Sequence, residues 1–168
     1  GLALSPHDKS QCISYIMDCD YNVGATEPPL FSKFLKTILP DEAVRERVQE
    51  YAGYTLIHDA RFQRAAMWIG SGANGKGVLA LVLQALHRNV AAVDLGNLDG
   101  FKLANLPDAS LIFCDEAPSG KVGESTIKGL IAGSKMPIQR KFKDTLDVEV
   151  TAKWLILTNQ VPAIQDTS

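Results

Sequence analysis

The feature that most constrains this chain of 168 residues is a glycine-rich segment that directly follows a short apolar run. The apolar run is 65–69, the glycine-rich segment has the spacing G-x-x-x-x-G-K, and residues 78–87 then have helical composition. In this order, loop amides and a helix N-terminus can surround phosphate oxygens, while Lys76 reaches the terminal phosphates. The pattern predicts a phosphate-binding loop formed by Gly70, Ser71, Gly72, Ala73, Asn74, Gly75, Lys76, Gly77 and Val78.

One position of this loop departs from the usual pattern. The residue after the lysine is normally Ser or Thr, whose hydroxyl binds Mg²⁺, and here it is Gly77. Either water takes the coordination position, or Ser71 helps, or the loop binds nucleotide without hydrolysing it well. The sequence leaves these three alternatives open.

A second apolar run ends in two adjacent acids. Residues 109–114 have strand-like composition and are followed by Asp115 and Glu116. In nucleotide hydrolases with such a loop, an acid at the end of a neighbouring strand holds the metal, and a following glutamate can polarise the attacking water. We therefore predict Asp115 as the Mg²⁺ ligand and Glu116 as the catalytic base. The alternative is a charged strand end that faces solvent.

A third apolar run, residues 152–158, ends at Asn159. Ligands gather at the carboxyl ends of strands in parallel sheets, so an amide at this position can contact the terminal phosphate or orient the attacking water. We predict Asn159 as a catalytic sensor of the nucleotide. Without the other two motifs, an Asn before Gln160 and a proline indicates only a turn.

The order of these runs predicts the fold class and the organisation of the chain. From residue 64 onward, short apolar runs alternate with helical stretches, as in an α/β fold with a mostly parallel sheet. We predict a helical lead-in over residues 1–62 and the core over 63–168. Within the lead-in, helices are expected at 30–39 and, after an Asp41 cap, at 42–51, with Gly53 as the C-terminal cap.

Bulk composition excludes several classes of protein. The net charge of −2 argues against a protein that coats DNA through its overall charge. The three cysteines lack C-x-x-C spacing, which argues against a disulfide framework and a zinc site. No apolar run reaches the roughly 18 residues of a membrane span, so we expect no membrane partner and a cytoplasmic location. Because the chain starts at Gly1, we also expect a fragment of a longer protein.

Residues 127–143 form a locally basic segment, with five basic residues and no acid. Residues 136–142 and 146–151 have strand-like composition, and residues 143–145 can form the turn between them. This pattern predicts a β-hairpin with a basic tip. From composition alone, a solvated basic loop is the favoured interpretation.

The three runs together resemble motifs A, B and C of superfamily 3 helicases, especially the primase-helicases of phages, plasmids and large DNA viruses. The Asn-Gly-Lys sequence at 74–76, the stretch 101–106 and the lead-in segment 49–54 are also similar to that family. The departures are Gly77 and the Gly-Ser pair at 133–134, where the family often has Gly-Asp. The resemblance covers nearly the whole chain.

This resemblance implies an AAA+-like P-loop NTPase core, a three-layer sandwich, that acts as an ATP-dependent DNA helicase in phage or plasmid replication. It implies ATP and Mg²⁺ as cofactors, a hexameric ring, and a bacterial host or virus-infected cell as the setting. A primase domain in the same chain is a further implied partner, and the arginine that completes a neighbour's site is expected beyond residue 168. The hairpin would grip single-stranded DNA through its basic side chains: Lys135, Arg140, Lys141 and Lys143.

Two other functions stay open at this level. A nucleotide-binding module that lacks hydrolysis because of Gly77 would hold a replication complex together. A small-molecule kinase of the P-loop class would require a lid that binds the phosphate acceptor. The basic segment and Asn159 favour the motor over the kinase.

Overall fold

The computed structural model describes residues 5–12, 15–98, 103–117, 124–140 and 143–160. The chain begins with a short 3₁₀ turn at Lys9–Gln11. The helices and strands that follow, in chain order, are α1 Pro29–Ile38, α2 Glu42–Thr55, β1 Ala65–Ile69, α3 Lys76–Ala85, β2 Val90–Ala92, β3 Leu111–Cys114, α4 Glu124–Ile131, β4 Lys135–Arg140, β5 Lys143–Glu149 and β6 Lys153–Thr158.

Four of the strands form one parallel sheet in the order β1-β6-β3-β2. Strand β6 lies between β1 and β3, although it is the last of the three in the chain. Each residue of β6 is buried, which fits the nearly continuous apolar sequence expected of a strand covered on both faces. The predicted α/β class with a mostly parallel sheet is therefore confirmed.

Alternate residues of the strands point to opposite faces of this sheet and build two apolar clusters. On one face, Leu155 and Leu157 of β6 pack with Leu83 of α3. On the other face, Trp154 and Ile156 belong to a second buried cluster that includes Leu130 of α4. Each such buried aliphatic side chain contributes about 1.5–3 kcal/mol relative to exposure. Helices thus cover both faces, which gives the predicted three layers.

The helical lead-in packs against the core. The Asp41 side chain accepts a hydrogen bond from Ala43 N at 2.9 Å, so the predicted N-cap of α2 is present. The prediction that α2 stops before Gly53 was wrong, because the helix continues to Thr55 and buries Tyr54. Packing of the last turn outweighs the low helix propensity of Gly53. Tyr51 also donates to Trp154 O at 2.6 Å, which fixes α2 to the first part of β6.

Strands β4 and β5 form a separate antiparallel pair, and Ile138 of β4 is fully buried. The hairpin was predicted, but its turn was placed too late. Lys143 already pairs with Arg140, so residues 143–145 belong to β5 and the connection is residues 141–142, outside the described residues. Strand pairing along Leu146 and Ile138 fixes this register, which local turn propensity at 143–145 does not reveal.

Among the described residues, no helix is both long enough and apolar enough to cross a membrane.

Candidate phosphate-binding site

The three sequence motifs meet at one edge of the parallel sheet. Ile69, the last residue of β1, pairs with Thr158, the last residue of β6. On the other side of β6, Cys114 at the end of β3 pairs with Ile156. Parallel strands end at the same edge, so the glycine-rich loop, the two acids and Asn159 all leave the sheet on one side.

Lys76 connects the loop to the end of β6. Its ammonium donates to Gly70 O at 3.0 Å, to Thr158 O at 2.7 Å and to Asn159 Oδ1 at 3.1 Å. An ammonium has three donors, so these contacts use its full capacity. A phosphate bound here would therefore take over at least one of the three positions.

The backbone of the loop has the bent conformation that phosphate loops use. Gly75 has φ +81° and caps α3, and Ala73 has φ +61°, which is uncommon for a residue with a Cβ. The Asn74 side chain lies beside Gly70, and its Oδ1 accepts from Lys76 N at 3.3 Å. Alternating left-handed and right-handed residues turn successive amides toward a common point, which favours anions.

The loop leads into α3 earlier than the sequence indicated. The helix begins at Lys76 rather than at Val78, and it ends at Ala85 rather than at His87. Gly77 therefore lies in the first turn of α3, and its φ is not in the left-handed range. A Cβ built on Gly77 would meet no described atom within 4 Å. The backbone at Gly77 thus has no steric need for glycine.

The two acids lie beyond the last residue of β3. Asp115 and Glu116 are both exposed, and Glu116 has φ +68°. The chain then returns to β6, since Ala117 N donates to Leu157 O at 2.9 Å. A strained backbone at a residue such as Glu116 is held by its surroundings and is common at functional sites.

The described residues at this edge offer few protein ligands for a metal ion. Within the described residues, no three side chains of His, Cys, Asp or Glu are grouped as a metal site. Mg²⁺ in nucleotide sites is usually held by one or two carboxylates together with phosphates and water. The single exposed carboxylate pair of Asp115 and Glu116 fits that mode and does not fit a cage made only of protein ligands.

Three of the four predicted DNA-binding residues lie on the described strands of the hairpin. Lys135 is exposed at the start of β4, and Arg140 and Lys143 form the last pair before the turn. Lys141 lies outside the described residues. The backbone thus brings Arg140 and Lys143 to the same end of the hairpin, as the sequence predicted, and leaves Lys135 at the other end of β4.

Two acceptor groups that hold the Lys76 ammonium were not predicted from the sequence. They are the carbonyl oxygens of Gly70 and Thr158, and Thr158 O also accepts from Gly70 N at 3.2 Å. Main-chain acceptors carry no residue signature, so no motif could have revealed them.

His87 was assigned no role, and its surroundings support a structural one. It is buried, and its ring nitrogens lie 3.1 Å from Ser110 Oγ and 3.1 Å from Thr55 Oγ1. Burial, together with the charge of Lys153, lowers the pKa of His87 to about 4. The ring therefore stays neutral near pH 7 and ties α2 to the start of β3.

The core of the chain matches a known family model over residues 68–168. That range begins in β1 and includes the glycine-rich loop, the two acids and Asn159. The chain belongs to the DUF5906 family, which is described as a family of unknown function. No curated protein sequence matches the chain.

Solved structures share the fold of this DUF5906 chain. An apo structure of the NrS-1 C-terminal region, residues 305–718, aligns with a TM-score of 0.65 and 17% identity, covering 85% of this chain and 37% of that one. Its A form gives a TM-score of 0.64 at 17% identity, covering 83% and 35%. A crystal structure of JCV helicase with a bound acetamide compound gives 0.59 at 16% identity, covering 77% and 39%.

These similarities establish a fold shared with a helicase. At 16–17% identity, these similarities show a shared arrangement of strands and helices and do not show a shared chemistry. The DUF5906 chain spans 35–39% of the length of these structures.

Proposed function

We propose that this chain is the nucleotide-binding core of an ATP-driven DNA motor of the superfamily 3 helicase type. The observation that carries the proposal is the position of Lys76, which joins the glycine-rich loop to Asn159 across the sheet edge. The fold shared with JCV helicase supports it. The motor would act in phage or plasmid DNA replication, as a hexameric ring.

Each group at the sheet edge has a distinct task in this proposal. Backbone amides of residues 70–76 hold the phosphates of ATP, and Lys76 exchanges one of its present acceptors for a terminal phosphate oxygen. Asp115 holds Mg²⁺, which would offset charge on the phosphates. Glu116 accepts the proton of the attacking water, and the Asn159 amide orients that water.

Lys76 and Asn159 also give the site a way to sense the nucleotide. The ammonium uses all three donors on Gly70 O, Thr158 O and Asn159 Oδ1. When a phosphate draws Lys76 away from Asn159, the amide oxygen becomes free to accept a hydrogen bond from water. Phosphate binding and water positioning are thereby linked through one side chain.

The hairpin supplies the contact with DNA. Arg140 and Lys143 pair at its turn end, and Lys141 lies between them in sequence. Phosphate attraction supplies most of the sequence-independent affinity of proteins for single-stranded DNA, so basic side chains at one end of a hairpin suit that task.

Gly77 favours a second candidate function. Without a hydroxyl after Lys76, the loop lacks one usual Mg²⁺ ligand, and the protein would bind ATP as an assembly module of a replication complex without efficient hydrolysis. The carboxylates of Asp115 and Glu116 argue for the motor, because a pure binding module needs no base.

ATP turnover by the full-length protein, measured with and without single-stranded DNA, separates the two functions. A motor shows turnover that rises when DNA is added. Tight ATP binding with no turnover under both conditions establishes the assembly module and contradicts the motor. Glu116→Gln is the matched control, since it should slow any turnover that belongs to this site.

A further inference from the structure

Helix α1 contacts the phosphate-binding loop at the residue that precedes α3. A Cβ built on Gly75 would lie 2.6 Å from Ile38 Cγ2 and 3.4 Å from Phe34 Cε2. The side chains of Ile38 and Phe34 therefore fill the space beside the bare Cα of Gly75. Ile38 and Phe34 are four positions apart, so they project from the same face of α1.

The contacted glycine has the conformation on which the loop depends. Gly75 adopts φ +81° and immediately precedes Lys76, the first residue of α3. Glycine has more backbone freedom than other residues, so a side chain that packs against Gly75 helps to fix its dihedral angles, together with the hydrogen bond from Leu79 N to Gly75 O at 3.0 Å. A rotation at Gly75 would change the direction in which Lys76 leaves the loop.

The residues that contact the loop lie on a helix that is only partly buried. None of the ten residues of α1 is fully buried by the described part of the chain. The neighbouring apolar residues Phe31 and Leu35 border a cavity of about 550 Å³ between α1, α2 and α3. The cavity leaves part of the α1 surface without close packing partners, whereas Ile38 and Phe34 lie against Gly75.

We infer that α1 is a positioning element for the phosphate-binding loop and that Ile38 is the positioning residue. Its Cγ2 methyl group, supported by Phe34, holds Gly75 in the left-handed conformation that directs Lys76 toward the bound phosphates. This inference rests on the proposed nucleotide-binding function. It gives the helical lead-in a role in nucleotide binding, although all the predicted nucleotide-binding motifs lie in the core.

Because the contact is made by the Cγ2 methyl group of Ile38, substitutions that keep or remove this methyl group test the inference. Valine keeps the Cγ2 methyl group of isoleucine, whereas leucine has the same number of carbon atoms and no methyl group at that position. We expect Ile38→Val to retain the affinity of the full-length protein for Mg-ATP. We expect Ile38→Leu to weaken affinity and to lower turnover by about tenfold, since a small misplacement far from the chemistry can cost up to about 100-fold.

Leu35→Ala is the matched control on the same helix, because Leu35 borders the cavity and is not among the nearest neighbours of Gly75. Thermal unfolding of all three variants separates loss of fold from loss of positioning. The inference is supported if Ile38→Leu weakens nucleotide binding while Ile38→Val and Leu35→Ala do not. It is overturned if the Leu and Val variants bind alike, or if Leu35→Ala weakens binding as much as Ile38→Leu.

Lys76→Ala, titrated with Mg-ATP in parallel, separates failure of this inference from failure of the proposed function. If Lys76→Ala loses nucleotide while Ile38→Leu keeps it, the role of α1 alone is overturned. If Lys76→Ala keeps wild-type affinity, the nucleotide function itself is wrong.

Discussion

Lys76 Nζ lies 3.1 Å from Asn159 Oδ1, so the lysine of the glycine-rich loop and the amide after β6 are in direct contact. The two residues are 83 positions apart in the sequence, and the pairing of β1 with β6 brings them together. This contact places the Asn159 amide beside the lysine of the proposed phosphate site.

Asn159→Ala should lower ATP turnover by about 10–100-fold, by analogy with the loss of a polar group that stabilises the reacting centre. Affinity for ATP should change little, because Lys76 keeps two carbonyl acceptors and remains in place. Steady-state turnover and a binding titration measure the two effects. Gln160→Ala, the exposed neighbour, is the matched control and should leave both unchanged. Equal effects of the two substitutions would contradict the sensor role.

Asp115→Asn and Glu116→Gln should have different consequences. Loss of the Asp115 charge should raise the Mg²⁺ concentration needed for half-maximal turnover, because Asp115 is expected to hold the metal. Glu116→Gln should leave ATP bound and slow its hydrolysis, since the amide cannot accept the proton of water. Mg²⁺ titrations of turnover and of ATP binding distinguish the two. Identical behaviour of the two variants would show that the division of roles is wrong.

Gly77→Ser should tighten Mg-ATP binding and raise turnover if the loop merely lacks a metal ligand. A Cβ at Gly77 meets no described atom within 4 Å and the residue is helical, so the fold should accept serine. Gly77→Ala is the control, because it adds the Cβ without a hydroxyl. If serine and alanine have the same effect on the Mg²⁺ dependence, the metal is held in another way.

Much of this site follows from the sequence, and the reasons are physical. The G-x-x-x-x-G-K spacing and the acids after β3 are local patterns, and parallel strands then bring their ends to one edge. Gly53 misled the prediction of α2, because packing of Tyr54 extends the helix past it. The contact of Ile38 with Gly75 could not be predicted, because no sequence pattern shows which face of α1 lies on the loop.

Replacing Arg140, Lys141 and Lys143 together with Ala should weaken binding to single-stranded DNA equally for all sequences, because phosphate contacts carry no base information. The slope of log affinity against log salt should shrink by about 0.7 for each DNA phosphate that the variant no longer neutralises. Binding titrations at several salt concentrations give this slope. ATP affinity should be unchanged.

A charge-matched control is available on exposed residues away from the hairpin, with Lys33, Lys36 and Arg88 replaced by Ala. It should keep both the DNA affinity and the slope. The oligomeric state of each variant must be measured as well, since a ring that dissociates loses DNA for another reason. An intact assembly of the hairpin variant with wild-type affinity and slope would mean that the segment is a solvated basic loop.

The loop at residues 70–78 is proposed to bind nucleotide phosphates through Lys76, and a titration of the full-length Lys76→Ala variant with Mg-ATP tests this role. A hydrogen bond to a charged group is worth about 1.5–3 kcal/mol, so affinity should fall by about 10–100-fold relative to wild type. The exposed Lys33→Ala variant should bind as wild type does. A folded Lys76→Ala protein with wild-type affinity for Mg-ATP would mean that the loop does not bind nucleotide through Lys76.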